Sequence, residues 1–382
     1  MPIRFLTAGE SHGKALIGII EGVPAGLNLN AEEIVQELIR RKSGFGRSER
    51  QLIETEKVEI ISGVRFGKTL GSPISIMIKN DDYKNWTNIM QVEPTNIKAQ
   101  EVVVPRPGHA DYIGGIKYDH KDLRNVLERA SARETAIRVA LGSVAKKLLS
   151  ELGIQVTSRV VQIGIVRDQS IYNDSYKTLN EQVDKSKVRV LDEEAEIEMI
   201  AEINRAKEKG DSLGGAFEVY AEGVPKGLGS YTHWDQKLDG KIAQSFMSLN
   251  AIKAVEIGIG SISAEMTGSQ CHDQLIKDQE EIIFKSNSAG GILGGMSSGE
   301  PIVVRAFMKP IATLLNPLNS VNIQTGVPEK AHVERSDICA VPAASVISES
   351  LLALTLANEI LIKFGGDSVK EIKERVEKWN QK

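Results

Sequence analysis

Apolar positions along the chain follow two spacings, and each predicts a different element. Residues 3–8 and Ile17–Ile20 read as short strands, and Ile74, Ile76 and Ile78 alternate through a third that follows Gly71-Ser-Pro73. Helical spacing appears at Ile34, Leu38 and Ile39, behind the capping pattern Asn30-x-x-Glu33. It returns at Ile137, Leu141, Val144 and Leu148, behind Ser131-x-x-Glu134. In such a box the hydroxyl accepts from a first-turn amide while the glutamate reaches back to the cap. Small residues Ala136 and Ala140 lie between the large ones, which predicts a packed helix. Gln244–Glu256 reads as a helical segment, Asp192–Lys209 as an acidic exposed helix closed by Gly210, and a peripheral last helix opens at Ser368-x-x-Glu371.

The order of elements then comes round again. Glu21-Gly-Val-Pro-Ala-Gly-Leu27 returns as Glu222-Gly-Val-Pro-Lys-Gly-Leu228, and Gly71-Ser-Pro-Ile74 as Gly299-Glu-Pro-Ile302 before another strand. The helix after Ser131 has a counterpart after Pro342, with Ile347, Leu351, Leu354 and Leu361 as its stripe. This predicts a single domain of two related halves, about 1–150 and 215–366, sharing one core, with residues 192–210 as an insertion.

Composition changes the picture in three ways. At 41% hydrophobic and 26% charged, the 382 residues suit a globular chain with a large core. A net charge of −4 speaks against a general polyanion binder, so any basic cluster acts locally. Cys271 and Cys339 lack metal-ligand spacing and suit a reducing compartment. Met1-Pro2-Ile3-Arg4 leads into no apolar run long enough to target or span, so the expected location is cytoplasmic with no membrane partner.

Chemistry-bearing residues gather at turns and helix starts. Arg106-Pro-Gly-His109-Ala-Asp111 through Ser131-Ala-Arg133-Glu134-Thr135 packs His109, Arg106, Arg124, Arg129 and Arg133 ahead of a helix N-terminus, which binds anions. His12 stands on the turn Gly9-Glu-Ser11-His12-Gly13. Arg40-Arg41-Lys42 complements a helix C-terminus, whereas Arg47 and Arg50 lie beyond it on a glycine-punctuated loop. Val333-Glu334-Arg335-Ser336-Asp337 precedes the second-half helix as the His109 region precedes the first, so paired halves would bring both to one cleft. Gly290–Gly299 permits close backbone approach to a flat ligand, or a tight turn. Arginine forks match carboxylate and phosphate, and histidines exchange protons near neutrality.

Gly63-Val-Arg-Phe-Gly67-Lys68 is no phosphate loop. Three residues separate its glycines, where four are needed, and a strand-turn-strand suits it better than the required helix. Metal spacing, a nucleophile elbow and a dinucleotide fingerprint are likewise missing from the sequence. The residues alone therefore reach acid/base or elimination chemistry on a phosphorylated carboxylate.

The four motifs Gly9–Gly13, Arg106–Asp111, Arg129-Ala130-Ser131-Ala-Arg-Glu-Thr135 and Val333–Asp337 resemble, in colinear order, the signatures of chorismate synthase. That resemblance implies an α+β fold, a β-α-β sandwich with a helical core between two sheet layers and an internal pseudo-twofold. It implies elimination of phosphate from 5-enolpyruvylshikimate 3-phosphate, a requirement for reduced FMN, and a homotetramer. His12 then resembles the acid for the departing phosphate and His109 the partner of the reduced flavin. Asp337 resembles the carboxylate that assists loss of the ring proton, with Ser11 and Ser131 as relay hydroxyls. Arg41, Arg47, Arg50, Arg106, Arg133 and Arg335 match the cationic lining over the substrate. Flavin contacts fall on Arg129, Ala130, Ser131, Asn250, Ala251, Gly294, Lys309, Pro310, Ile311, Ala312, Thr313 and Arg335. Ala130 departs from the serine many relatives carry. NADPH enters only through an external flavin reductase, and no metal is expected.

Two other readings make distinct demands. A nucleotide-dependent phosphotransferase needs a genuine phosphate loop and metal carboxylates. A nucleic-acid module working through Arg40–Arg50 needs aromatic residues interleaved with the arginines.

Overall fold

The computed structural model describes residues 2–97, 100–279 and 281–381, except for the side chains of Arg50 and Leu52. The first part of the chain forms β1 (Arg4–Ala8), β2 (Ala15–Glu21), α1 (Ala31–Lys42), α2 (Arg50–Ile53), β3 (Val58–Ser62), the hairpin β4 (Val64–Arg65) and β5 (Lys68–Thr69), and β6 (Ile74–Lys79). Helices α3 (Asp111–Tyr118), α4 (Arg124–Ala130) and α5 (Thr135–Glu151) follow. Next come β7 (Gln155–Ile163), β8 (Val166–Arg167), α6 (Leu179–Val183), α7 (Glu193–Glu208), β9 (Gly215–Glu222), α8 (Leu238–Met247) and β10 (Ile252–Ile257). The remainder is α9 (Gly268–Cys271), β11 (Leu275–Asp278), β12 (Glu281–Phe284), the hairpin β13 (Ile292–Leu293) and β14 (Met296–Ser297), β15 (Ile302–Met308), β16 (Asn319–Val321), β17 (Pro328–Lys330), α10 (Val341–Phe364) and α11 (Val369–Asn380).

Two antiparallel sheets carry the fold, in the orders β1-β2-β6-β3 and β10-β15-β9-β7-β8. Counted from the repeated Glu-Gly-Val-Pro segments, β7, β9, β15 and β10 take the places of β1, β2, β6 and β3. Matching side chains also match in bonding. Thr69 Oγ1 accepts from the Leu27 amide and donates to the Pro24 carbonyl, while Ser297 Oγ accepts from the Leu228 amide and donates to the Pro225 carbonyl. Helix α5 packs on the first sheet, α10 on the second, and the two helices on each other. Gly142 allows that crossing, because a Cβ there would lie 2.2 Å from the Ser350 Cβ.

Helix α10 is long and apolar enough to cross a membrane by composition, but it is apolar all round because it is buried between layers. Its one fully buried carboxylate, Glu349, meets Arg40 from α1, Lys146 from α5 and Arg189. Helix α7 has Glu193, Glu194 and Glu196 in its first turn, favourable for the helix dipole, and buries Met199 and Ile203 in the main core.

Two local expectations are corrected. Ser131 caps a 3-10 turn, Ala132–Glu134, by accepting from the Arg133 amide, and Glu134 turns to Arg138 instead of reaching back. Helix α8 stops at Met247, so Asn250 and Ala251 lie in a turn before strand β10. Ala251 has φ 68, a left-handed conformation that ends helical continuation. Gly294 and Gly295 form the tip of the β13–β14 hairpin, both at positive φ as a two-residue turn requires.

Candidate functional site

A cavity of about 580 Å³ is lined by stretches that run from residue 11 to residue 347. The turn before α5, the start of α10, the Asn250–Ala251 turn and the segment after β15 form its walls. Asn250 Nδ2 donates to the Ala130 carbonyl at 2.9 Å, Lys309 Nζ to Gly108 at 2.6 Å, and Arg106 Nη1 to Thr313 Oγ1 at 2.7 Å. These bonds tie distant stretches of the chain around one space. One side is apolar, with Ala343, Ala344, Ile347, Pro310 and Ile311.

Both histidines are gripped through Nδ1 by a buried carboxylate. His12 is 5% exposed, and its Nδ1 lies 2.8 Å from Glu128 Oε1 while its amide donates to Glu128 Oε2 at 2.8 Å. Trp86 stacks on the imidazole with ring centres 3.9 Å apart. His109 Nδ1 lies 2.6 Å from Asp111 Oδ1. Burial opposes ionisation of Asp111, but hydrogen bonds from His109 and Arg106 outweigh it and hold the carboxyl well below its usual range. Asp111 is held ionised and an ionised carboxylate only accepts, so His109 Nδ1 carries the proton of that bond. Ser131 Oγ donates to Ser11 Oγ at 3.0 Å, a hydroxyl pair beside His12. Ala130 contributes its backbone carbonyl, a role independent of the missing serine hydroxyl.

Six cations line the cavity among the described residues, namely Arg41, Arg47, Arg106, Arg133, Lys309 and Arg335, against the three carboxylates of Glu54, Glu334 and Asp337. They are not equivalent. Arg133 is held by Glu56 at 2.7 Å, Glu54 at 3.2 Å and Asn80 at 3.1 Å. Arg106 is matched by Asp111, and Arg335 by Asp82 at 2.9 Å. Arg41 uses Nε on Thr135 and Nη2 on the Ala132 carbonyl, yet its buried Nη1 has no partner. Burial, reinforced by Arg133 and Arg47, pushes its pKa down to about 9 despite the opposing carboxylates. Arg47 pairs with Asp337 at 3.1 Å and leaves Nε buried without a partner. Asp337 also accepts from the Ser48 amide at 2.6 Å.

The cavity thus gathers Ser11, His12, Arg41, Arg47, Arg106, His109, Ala130, Ser131, Arg133, Asn250, Ala251, Lys309–Thr313, Arg335 and Asp337. Arg129 and Gly294 are not among its lining residues. Arg129 braces the His12 turn from behind, on the Thr7 and Gly9 carbonyls, and Gly294 stays at its hairpin tip. The Arg50 side chain lies outside the described residues. Sequence reasoning missed Glu128, Trp86, Glu54, Glu56 and Asn80, and quoted Asp111 without a role. Glu128 directly precedes the Arg129–Thr135 motif and could have been read from it. Trp86 and Asn80 bear no local signal, since only folding brings them to the site. Arg40, meanwhile, is engaged by Glu37, Asp184 and Glu349, so it offers no basic surface to nucleic acid.

Fold and cavity together define an enzyme that acts on a small, multiply anionic molecule by proton transfer. Residues 3–361 match the family model described as chorismate synthase. The chain is 51% identical to chorismate synthase 2 of Bacillus cereus, over 99% of this chain and 98% of that relative. It is 52% identical to the chorismate synthase of a Geobacillus species, over 98% of each. A chorismate synthase crystal structure superposes with a TM-score of 0.80 at 43% identity, covering 100% of this chain and 98% of that one. The chain belongs to the chorismate synthase family, lyases that eliminate phosphate from 5-enolpyruvylshikimate 3-phosphate to give chorismate for aromatic amino acid biosynthesis.

Proposed function

We propose that this cavity carries out the family's 1,4-anti-elimination with the substrate lying against reduced FMN. The observation that supports it most is the pair of buried, unpartnered guanidinium nitrogens, Arg41 Nη1 and Arg47 Nε, in the same cavity as the His12 ring. A buried donor without a partner is costly, and a bound phosphate or carboxylate removes that cost. The apolar bed from α10 and residues 310–312 fits a flat ring system, with His109 and Lys309 at its edge. Reduced flavin, when bound, supplies the transient electron density that weakens the allylic C–O bond.

The chain's own residues do the rest. Arg41 and Arg47 hold the anionic groups and offset their mutual repulsion, which is on the order of several kcal/mol per close pair at an effective dielectric near 20. His12 gives its Nε2 proton to the departing phosphate. Asp337 takes part in accepting the proton lost from the ring carbon, and binding of the phosphate draws Arg47 away from it. Ser11 and Ser131 form the relay pair. Arg106, Arg133 and Arg335, already matched by carboxylates, shape the wall more than they bind. Arg50, Arg129 and Gly294 keep the substrate and flavin roles implied by the resemblance as proposals.

The same reading extends to the assembly. Two halves related by duplication account for the shared strand order, with 192–210 inserted between them. A homotetramer gives cover to the outer face of the first sheet, where Leu6, Ile17 and Ile19 are exposed between the Arg4–Glu21 and Lys79–Glu59 pairs. An external NADPH-dependent reductase is the expected source of reduced flavin, in the cytoplasm, where free Cys271 and Cys339 stay reduced. Anaerobic mixing with dithionite-reduced FMN and the ester tests the whole. Phosphate and chorismate should appear in equal amounts only when reduced flavin is present, and equal release without flavin overturns the flavin assignment.

A further inference from the structure

We propose that Glu128 is a positioning residue for the elimination, fixing His12 so that Nε2 alone delivers the proton to the leaving phosphate. This rests on the role of His12 given above. Glu128, on α4, is 2% exposed and grips both the backbone and the ring of His12, with one carboxylate oxygen to each at 2.8 Å. That two-point hold sets the turn and the tautomer together. Trp86 closes one face of the ring. Ring Nε2 has no partner among the described residues, and His12 lines the cavity.

Charges around the pair come from three stretches. Arg124, on α4 itself, lies 3.3 Å from Glu128 Oε1 and packs over Trp86 at 5.0 Å. From the segment before α10, Glu334 meets Arg124 at 3.3 Å and His332 at 3.2 Å. From the other side, Asp82 accepts from the Trp86 indole at 3.3 Å. The contrast with His109 is informative. Asp111 receives two bonds from the Arg106 guanidinium, at 2.8 and 3.1 Å, and one from its amide at 3.2 Å, so its charge is matched before the imidazole counts. Glu128 has one cationic neighbour besides the histidine, at 3.3 Å, and retains charge to match a protonated ring. As the C–O bond breaks, the proton leaves Nε2 for the phosphate oxygen, Nδ1–H stays on Glu128, and the carboxylate remains ionised throughout. Solvent then returns a proton to Nε2.

The wild-type protein permits a direct test. In the full chain with 15N-labelled histidine, the neutral form of His12, assigned by its loss in His12→Ala, should carry its proton on Nδ1, and an Nε2–H tautomer overturns the proposal. In turnover with reduced FMN, Glu128→Gln should lower kcat by about 100-fold, the scale of one general acid. KM and FMN affinity should stay within about twofold, and the alkaline limb of the kcat profile should begin at lower pH. Glu128→Asp should restore part of the loss, and His12→Ala/Glu128→Gln should be no slower than His12→Ala alone. A slowed Glu128→Gln with an unmoved profile, or a double variant whose losses multiply, makes Glu128 merely structural. Full activity of His12→Ala would instead remove the parent reading, whatever the tautomer.

Discussion

Arg41 shows how much one residue's position determines. Two of its nitrogens, Nε and Nη2, have partners fixed by folding, and the third, Nη1, is buried in the cavity wall without one. Charged hydrogen bonds contribute about 1.5–3 kcal/mol, so Arg41→Ala should weaken binding of the ester by about 10- to 150-fold, read by titration with oxidised FMN present. Unchanged affinity would move the anion site elsewhere. His12→Ala should cripple turnover while leaving flavin binding nearly intact, checked by stopped-flow phosphate release beside a fluorescence titration. Cys339 illustrates the opposite case, a group made inert by its place. Burial pushes its thiol up to about 12, and reactivity follows the thiolate. In the native protein a maleimide should therefore label Cys271 alone, and Cys339 only after unfolding.

At the scale of elements, strands and turns were the most legible. The β4–β5 hairpin follows from Phe66 and Gly67 at positive φ, and Gly294-Gly295 does the same for β13–β14. Helix ends were less so, because the cap of α5 competes with an ion pair one turn further along the same helix. Glu134 had a local bond available and takes Arg138 instead. Helix α10 brings Glu349 to a centre that no local pattern announces. Burial opposes ionisation there, but Arg40, Lys146 and Arg189 outweigh it and hold the carboxyl well below its usual range. The folded state then binds that proton less readily than the unfolded chain, whose glutamate titrates near about 4.3. Its contribution is complete above that pH and is lost as pH falls through the folded value. Glu349→Gln leaves the cations uncompensated and should cost about 3–5 kcal/mol. Its Tm should be lower at pH 7 and should fall less steeply than the wild type's below pH 5.

For the whole molecule, the exposed apolar face of the first sheet carries the expectation. Two sheets sandwich the helices, so each has an outer face turned away from them. On the second sheet that face is covered by the chain's own residues 176–183, with Arg159 and Glu218 buried in mutual contact and Tyr176 stacked on Tyr220. On the first sheet it carries the exposed Leu6, Ile17 and Ile19. With the proposed homotetramer closing over this face, Ile19→Lys should lower the mass seen in light scattering while the far-ultraviolet spectrum stays unchanged. A tetramer of unaltered stability would place the interface on another face.

Periodicity and turn chemistry, which act over a few residues, determined strands β1, β2, β6 and β15, the β4–β5 hairpin, the doubled order of elements and the motifs bearing His12, His109 and Asp337. Those signals are local, and they survive in the sequence because each depends on neighbours along the chain. Which arginines remain available to an anion was decided only in three dimensions, since Arg106 and Arg133 engage all three guanidinium nitrogens with protein partners and Arg41 and Arg47 keep a buried N–H without one. The partner of His12 was decided likewise, coming from helix α4 far along the chain. Hydrogen-bond satisfaction is a property of the whole buried neighbourhood, and that neighbourhood exists only once the halves have closed on each other.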